Sequence, residues 1–210
     1  MRQARAISRI AQLRGIYAIV DTAEGDVLAQ LDDVLAGGIR VVQYRGKSGI
    51  ERDVLARAWE RTRAAGALLI VNDDVGLVDS ADGVHLGQED LALLDVAALR
   101  ARTEGKIVGI SCPDVPSAYA ALAIGADYIG VGAMYATGTK HDAGEPIGPG
   151  GVRAAVQAVD LPVAAIGGIT LARIQEVRAT GAAMAAVITA ISRAPDRIAA
   201  ARTLVDAWAR

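Results

Sequence analysis

Two carboxylates pose the chemical question. The chain's only asparagine, Asn72, opens Val71-Asn72-Asp73-Asp74 at the end of the apolar run Ala67 to Val71. Seventeen residues beyond Asp73 comes Asp90, at the end of Gly87-Gln88-Glu89-Asp90, directly after a second apolar run, Gly83 to Leu86. Carboxylates at the ends of neighbouring strands suit a hard divalent cation. Mg2+ is commonly held by one or two carboxylates and by substrate phosphates, with water completing its octahedron. Asp73 and Asp90 are therefore candidate metal ligands, while Asp74 and Glu89 suit the capping of the helices that follow.

Phosphate-binding chemistry stands beside them. Gln43-Tyr44-Arg45-Gly46-Lys47 follows another apolar run, and lysine is scarce here. Of 22 basic residues only Lys47, Lys106 and Lys140 are lysines. A chain that uses arginine by default but keeps lysine in two strand-end loops points to sites that need a compact ammonium. Arg45 and Lys47 are the expected phosphate contacts. Ser111, in Ser111-Cys112-Pro113-Asp114, is expected to donate a hydrogen bond rather than attack, because the only histidines are His85 and His141 and no triad-like pattern accompanies it. Cys112 is expected to be inert, and Asp114 or Ser117 to cap a helix. The stretch from Gly132 to Gly151 forms the longest loop, of the kind that serves as a lid or binding loop. Its Thr137-Gly138-Thr139-Lys140 segment makes it a candidate anion clasp. Gly167-Gly168 and Ile188-Thr189 close two later runs, where backbone N–H groups can approach a phosphate.

Something must hold these loops together. Apolar runs rich in Val and Ile recur at 16–20, 39–44, 67–71, 83–86, 107–110, 128–131, 163–166 and 185–188. Their length and branching mark strands buried on both faces, as in a parallel sheet. Helical patterns separate them at 27–36, 50–65, 91–102, 116–124, 152–159, 171–179 and 194–208, with a short stretch at 75–80. Eight βα units with no second composition regime predict a closed (β/α)8 TIM barrel forming one domain over residues 1–210; an open doubly wound sheet is the alternative. In such barrels chemistry sits where strands end, which is where every polar cluster above falls. Residues 1–14 carry four arginines and no acid, with Ile7, Ile10 and Leu13 at helical spacing. A short helix covering the barrel bottom is expected there rather than a transit peptide.

Composition narrows the partners. A net charge of −2 gives no electrostatic basis for nucleic acid or membrane surfaces, and no apolar run reaches the ~18 residues of a membrane span. The single cysteine excludes an internal disulfide and fits a reducing, cytoplasmic setting. Small-molecule substrates are the expected partners, and self-association into a homo-oligomer is compatible with the sequence.

Taken together, Gln43–Lys47, Val71–Asp74, Gly83–Asp90, Thr137–Lys140 and Ile166–Ile169 resemble the thiamine-phosphate synthase family, in order and spacing, from Tyr17 to Ile191. That family joins hydroxymethylpyrimidine pyrophosphate to thiazole phosphate and releases pyrophosphate. The resemblance implies that Gln43, Arg45, Lys47, Asn72, Ser111 and Lys140 hold the pyrimidine pyrophosphate, with Tyr44 and Gly46 in the same loop. It implies Mg2+ on Asp73 and Asp90. It assigns the thiazole phosphate to Thr137, Gly138 and Thr139 with the backbone of Gly168, Ile188 and Thr189. Arg45, Lys47, Ser111 and Lys140 would be the catalytic groups. The chain departs from the family at Pro113, where relatives often carry His, and at Ala133 and Ala136, where they often carry Pro. The rival readings are a thiazole tautomerase, another phosphate-binding barrel, and a non-catalytic sensor of thiamine phosphates. The paired aspartates and the basic loops oppose the first two.

Overall fold

The computed structural model describes residues 9–138 and 144–210. Eight parallel strands close into a barrel in sequence order, each paired with the next and the eighth with the first. They are β1 (Gly15–Asp21), β2 (Val41–Arg45), β3 (Leu68–Asn72), β4 (Gly83–Leu86), β5 (Ile107–Cys112), β6 (Tyr128–Val131), β7 (Val163–Ile166) and β8 (Met184–Val187). Around them lie α1 (Val27–Ala36), α2 (Arg52–Ala64), α3 (Gln88–Ala92), α4 (Val96–Arg102), α5 (Val115–Ala123), α6 (Gly148–Ala158), α7 (Ile174–Ala179), α8 (Thr189–Ser192) and α9 (Arg197–Ala209). The closed barrel expected from the eight apolar runs is present, and the open sheet is excluded.

Strand alternation divides the core into two layers. One face of each strand meets the helices, where Val20, Val42, Leu69, Val71, Val84 and Ile110 pack against residues such as Leu31, Leu55 and Val152. The other face fills the barrel, with Tyr17, Ile19, Val41, Ile70, Tyr128 and Met184 among its members. A filled interior closes the barrel as a pore and leaves only its carboxyl-end rim for ligands.

Helix ends follow their local chemistry. Asp26 caps α1 by accepting from Leu28 and Ala29, and Asp114 forms a reciprocal capping box with Ser117 at the start of α5. The single helix expected over 91–102 is two: α3 ends at Ala92, and Asp95 caps α4 by accepting from Ala98 N. The 75–80 stretch is a 3-10 helix capped by Asp74, as expected of that residue. Glu89 does not cap; the chain enters α3 at Gly87 with no side-chain cap. Helix α6 begins at Gly148, four residues before the expected start, because Pro149 fits a first turn that needs no N–H from it. Most of the expected amino-terminal helix lies outside the described residues. Among the described residues, no helix is long and apolar enough to cross a membrane.

Candidate active site

The rim at the ends of β1 to β4 carries the charged groups. Arg45 is the last residue of β2 and stands beside Asp21, the last residue of β1, in the strand register. Their side chains form an ion pair in which Asp21 is almost wholly buried. Asp21 also accepts from Ala23 N at 2.9 Å, and its backbone exchanges bonds with the Gln30 amide at 3.2 and 3.0 Å. Arg45 is therefore held at its guanidinium by a buried acid while its side chain stays partly exposed. Lys47 follows on an exposed turn.

Asp73 lies one residue past β3 with φ of 63°, a left-handed conformation unusual outside glycine. Its N–H donates to His85 O at 2.8 Å, which ties the bend to β4. Asn72 donates its side-chain amide to the Asp73 carboxylate. Asp90, in the first turn of α3, shares a hydrogen bond with Asp73. Partial burial first, and then the charge and hydrogen bond of Asp90, push the Asp73 carboxyl up to about 6, while the Gly87 N–H and Arg45 pull it down. Two carboxylates in contact repel when both ionise, and a cation between them removes the repulsion. An all-oxygen pair beside a basic loop fits a hard ion such as Mg2+. Among the described residues no group of three or more His, Cys, Asp or Glu side chains could hold a metal ion.

Beneath the rim, inside the barrel, polar side chains from five strands meet. Gln43 on β2 donates to Tyr17 Oη at 2.8 Å, and Tyr17 and Tyr128 hydroxyls are 2.8 Å apart. His85 bridges Tyr128 Oη (2.9 Å from Nδ1) and Ser111 Oγ (3.0 Å from Nε2). Gln88, two residues before Asp90 in the first turn of α3, donates to the Ser111 carbonyl. Gln43 and Ser111 thus share one connected floor below the carboxylates.

A separate cavity of about 310 Å³ opens over the ends of β6 to β8, lined by Thr137, Gly138, Gly168 and Thr189 together with Ala136, Thr170, Arg173 and Arg193. Gly168 adopts φ of 62°, and a Cβ there would stand 2.6 Å from Ala136 O. Only glycine lets the two loops approach so closely. Arg173 donates to Gly168 O at 2.7 Å and lies over the Tyr135 ring, 4.2 Å from its centre. Arg193 is held by Glu24 through two bonds of 3.0 and 2.7 Å. Ile188 precedes α8 with its side chain packed against the barrel interior, and it is not among the residues lining this cavity.

The expected residues therefore fall into two adjoining groups: Gln43, Arg45, Lys47, Asn72, Asp73, Asp90 and Ser111 on one side of the rim, and Thr137, Gly138, Gly168 and Thr189 on the other. Tyr44 is set apart. Its side chain is buried in the layer between barrel and helices, leaving its backbone alone within reach of a ligand. Gly46 holds the loop turn, where a Cβ would stand 2.4 Å from Gly49 O. Thr139, Lys140 and His141 lie outside the described residues. Cys112 is buried, and burial pushes its thiol up to about 11, in keeping with an inert cysteine.

Sequence reasoning missed five groups. Asp21 is an acid at the end of an apolar run, the same signal that pointed to Asp73. Tyr17 and Tyr128 look like core aromatics in the sequence; only the closed barrel brings them together. Arg173 and Arg193 sit among many arginines and carry no local mark.

The model of the family described as thiamine monophosphate synthase matches residues 16–191. A bifunctional thiamine biosynthesis protein of Symbiobacterium thermophilum is 48% identical over 203 residues, which cover 94% of this chain and 41% of that protein. The chain thus spans less than half of that relative. The thiamine-phosphate synthase of Chloroflexus aurantiacus is 45% identical over 181 residues, 84% of this chain and 82% of its own length. The solved structure of a thiamine phosphate pyrophosphorylase from Pyrococcus furiosus is similar with a TM-score of 0.85 at 31% identity, covering 94% of this chain and 96% of that one.

Proposed function

The chain belongs to the thiamine monophosphate synthase family and is a transferase, and on that premise we propose how its own residues carry out the reaction. The substrates are hydroxymethylpyrimidine pyrophosphate and thiazole phosphate. The observation that carries the proposal is the meeting of Asp73 and Asp90 beside Arg45, directly above the Gln43–Ser111 floor. A diphosphate seated there is anchored by fixed cations at one end while its aromatic ring lies over the Gln43–Ser111 floor.

Asp73 and Asp90 would hold Mg2+, which supplies charge neutralisation to the diphosphate oxygens when bound. Arg45, kept in place by Asp21, hydrogen-bonds the diphosphate and stabilises the charge that grows on it as the C–O bond to the methylene breaks. Lys47 adds a second positive charge, and Lys140, assigned by sequence alone, a third. Asn72 and Ser111 donate to the same anion. The bonding pair leaves with pyrophosphate, and the aminopyrimidine ring delocalises the cation left on the methylene carbon. The thiazole nitrogen then gives its lone pair to that carbon. Its phosphate is held across the rim by Thr137, Gly138, Thr139 and the backbone at Gly168, Ile188 and Thr189. The attacking nitrogen carries no proton, so no general base is required.

The test is direct. Both substrates with Mg2+ should yield pyrophosphate and thiamine phosphate in equal amounts. Asp90→Ala should abolish the Mg2+-dependent turnover; undiminished activity would remove the carboxylate pair from the reaction.

A further inference from the structure

The polar floor of the barrel has a direction, and the proton count supplies it. Gln43 Nε2 can only donate, and its acceptor is Tyr17 Oη at 2.8 Å. Tyr17 Oη is 2.8 Å from Tyr128 Oη, Tyr128 Oη 2.9 Å from His85 Nδ1, and His85 Nε2 3.0 Å from Ser111 Oγ. Each phenol has one proton, and burial raises both phenols well above their ordinary values, so both protons stay on at neutral pH. If Tyr128 donated to Tyr17, the Tyr17 oxygen would accept twice and its own proton would face neither partner, at a residue 2% exposed. An unpaired buried donor costs about 1–3 kcal/mol. Tyr17 therefore donates to Tyr128, and Tyr128 to His85 Nδ1. That leaves the His85 proton on Nε2, where it is donated to Ser111 Oγ. Ser111 keeps its own proton to give elsewhere.

The surrounding backbone is shaped for this chain. A Cβ at Gly109 would stand 2.1 Å from the Tyr128 ring, and one at Gly130 would stand 3.1 Å from His85 Cε1. Both glycines lie on strands of the barrel, β5 and β6, and clear the volume the two rings occupy.

We propose that Tyr17, Tyr128 and His85 are positioning residues: the one-way chain from Gln43 to Ser111 fixes His85 as its neutral Nε2–H tautomer and presents Ser111 as a hydrogen-bond donor to the pyrimidine diphosphate. The kinetic part of this inference rests on the substrate reading above; the tautomer does not. Bonds aligned in one direction polarise each other, so occupancy at the Gln43 end strengthens donation at the Ser111 end. His85 thus acts on the substrate without serving as its acid or base.

Nitrogen-15 spectra of histidine-labelled protein at neutral pH test the direction, with His141→Ala assigning the two histidines. His85 should show a protonated Nε2 and a bare Nδ1; a proton on Nδ1 overturns the proposal. Tyr128→Phe keeps the ring and removes the hydroxyl. It should lower kcat/KM for the pyrimidine diphosphate by about tenfold, the equivalent of one hydrogen bond, with the KM for thiazole phosphate unchanged. Ser111→Ala combined with Tyr128→Phe should be no worse than Ser111→Ala alone, because Tyr128 acts through Ser111; additive losses overturn the proposal. Absence of turnover by the unaltered protein would sink the substrate reading and leave the tautomer result standing. If Tyr128→Phe does not fold, the spectrum of the unaltered protein still decides.

Discussion

Asp21 and Arg45 are register partners at the ends of β1 and β2, and their side chains close an ion pair at the barrel rim. The pair is asymmetric: the Asp21 side chain is 2% exposed and that of Arg45 17%. The acid is the buried partner, and the base the more exposed one. Asp21→Asn removes the charge that orients the guanidinium and leaves Arg45 partly buried without its counter-ion. Breaking a buried pair from one side costs about 3 kcal/mol. We expect a fall of that size in urea unfolding, with a rise in KM for the pyrimidine diphosphate and little change in KM for thiazole phosphate. An unchanged diphosphate KM would show that Arg45 needs no clamp.

The contrast between Asp21 and Asp73 explains how far the sequence could be read. All eight strands were legible because branched apolar runs recur between helical patterns, and a parallel sheet buries such runs on both faces. Polar residues at strand ends were legible for the same reason, since the barrel sends every strand end to one rim. Residues whose partners come from strands far apart in sequence were not. Tyr17 and Tyr128 are 111 residues apart, and nothing local tells either apart from core. Tyr44 shows the opposite failure. It sits in a functional-looking pentapeptide, yet strand alternation turns its side chain away from the residues on either side. The break between α3 and α4 was hidden because Leu91 and Leu94 keep a helical spacing across it.

The Asp73–Asp90 contact makes the metal-free protein sensitive to pH. Asp73 is raised to about 6, by burial and then by Asp90. A carboxyl raised by folding binds more protons in the folded state than in the unfolded one between pH ~4 and ~6. Stability must therefore fall as pH rises through that window. Added Mg2+ at pH 7 should recover it. Thermal melts of metal-free protein should show both effects, and Asp90→Asn should lessen the first, leaving the part due to burial, and remove the second. A melting temperature unmoved by Mg2+ in the unaltered protein would separate the carboxylate pair from metal binding.

Arg173 and Arg193 flank the second cavity, and a phosphate dianion placed there gains from both. Both arginines are exposed and so screened by water and salt, and Arg193 is in addition shared with Glu24. Arg173 is held by Gly168 O and the Tyr135 ring, close to the loop itself. Arg173→Ala should raise the KM for thiazole phosphate several-fold, more than Arg193→Ala does, and neither should move the KM for the diphosphate. Steady-state kinetics at two ionic strengths checks this: both effects should shrink in salt, with Arg173→Ala remaining the larger. Equal effects on both substrates would mean that the cavity does not separate them.

Gly109 and Gly130 offer a graded test of the barrel interior. A methyl at Gly109 would meet the Tyr128 ring at 2.1 Å, with Tyr128 Oη at 2.5 Å. The ring is fully buried and held by Tyr17 and His85, so it cannot simply swing aside. Overpacking of this kind costs about 1–3 kcal/mol. At Gly130 the nearest atom is His85 Cε1 at 3.1 Å, a contact that a few tenths of an ångström relieves. Gly109→Ala should therefore lose substantial stability and activity, whereas Gly130→Ala should keep most of its stability and lose activity mainly through a displaced His85. Denaturation curves and diphosphate kinetics on both variants measure this directly. Two variants equally stable would show that Tyr128 has room to move, and that its place between Tyr17 and His85 is not enforced by the strand beneath it.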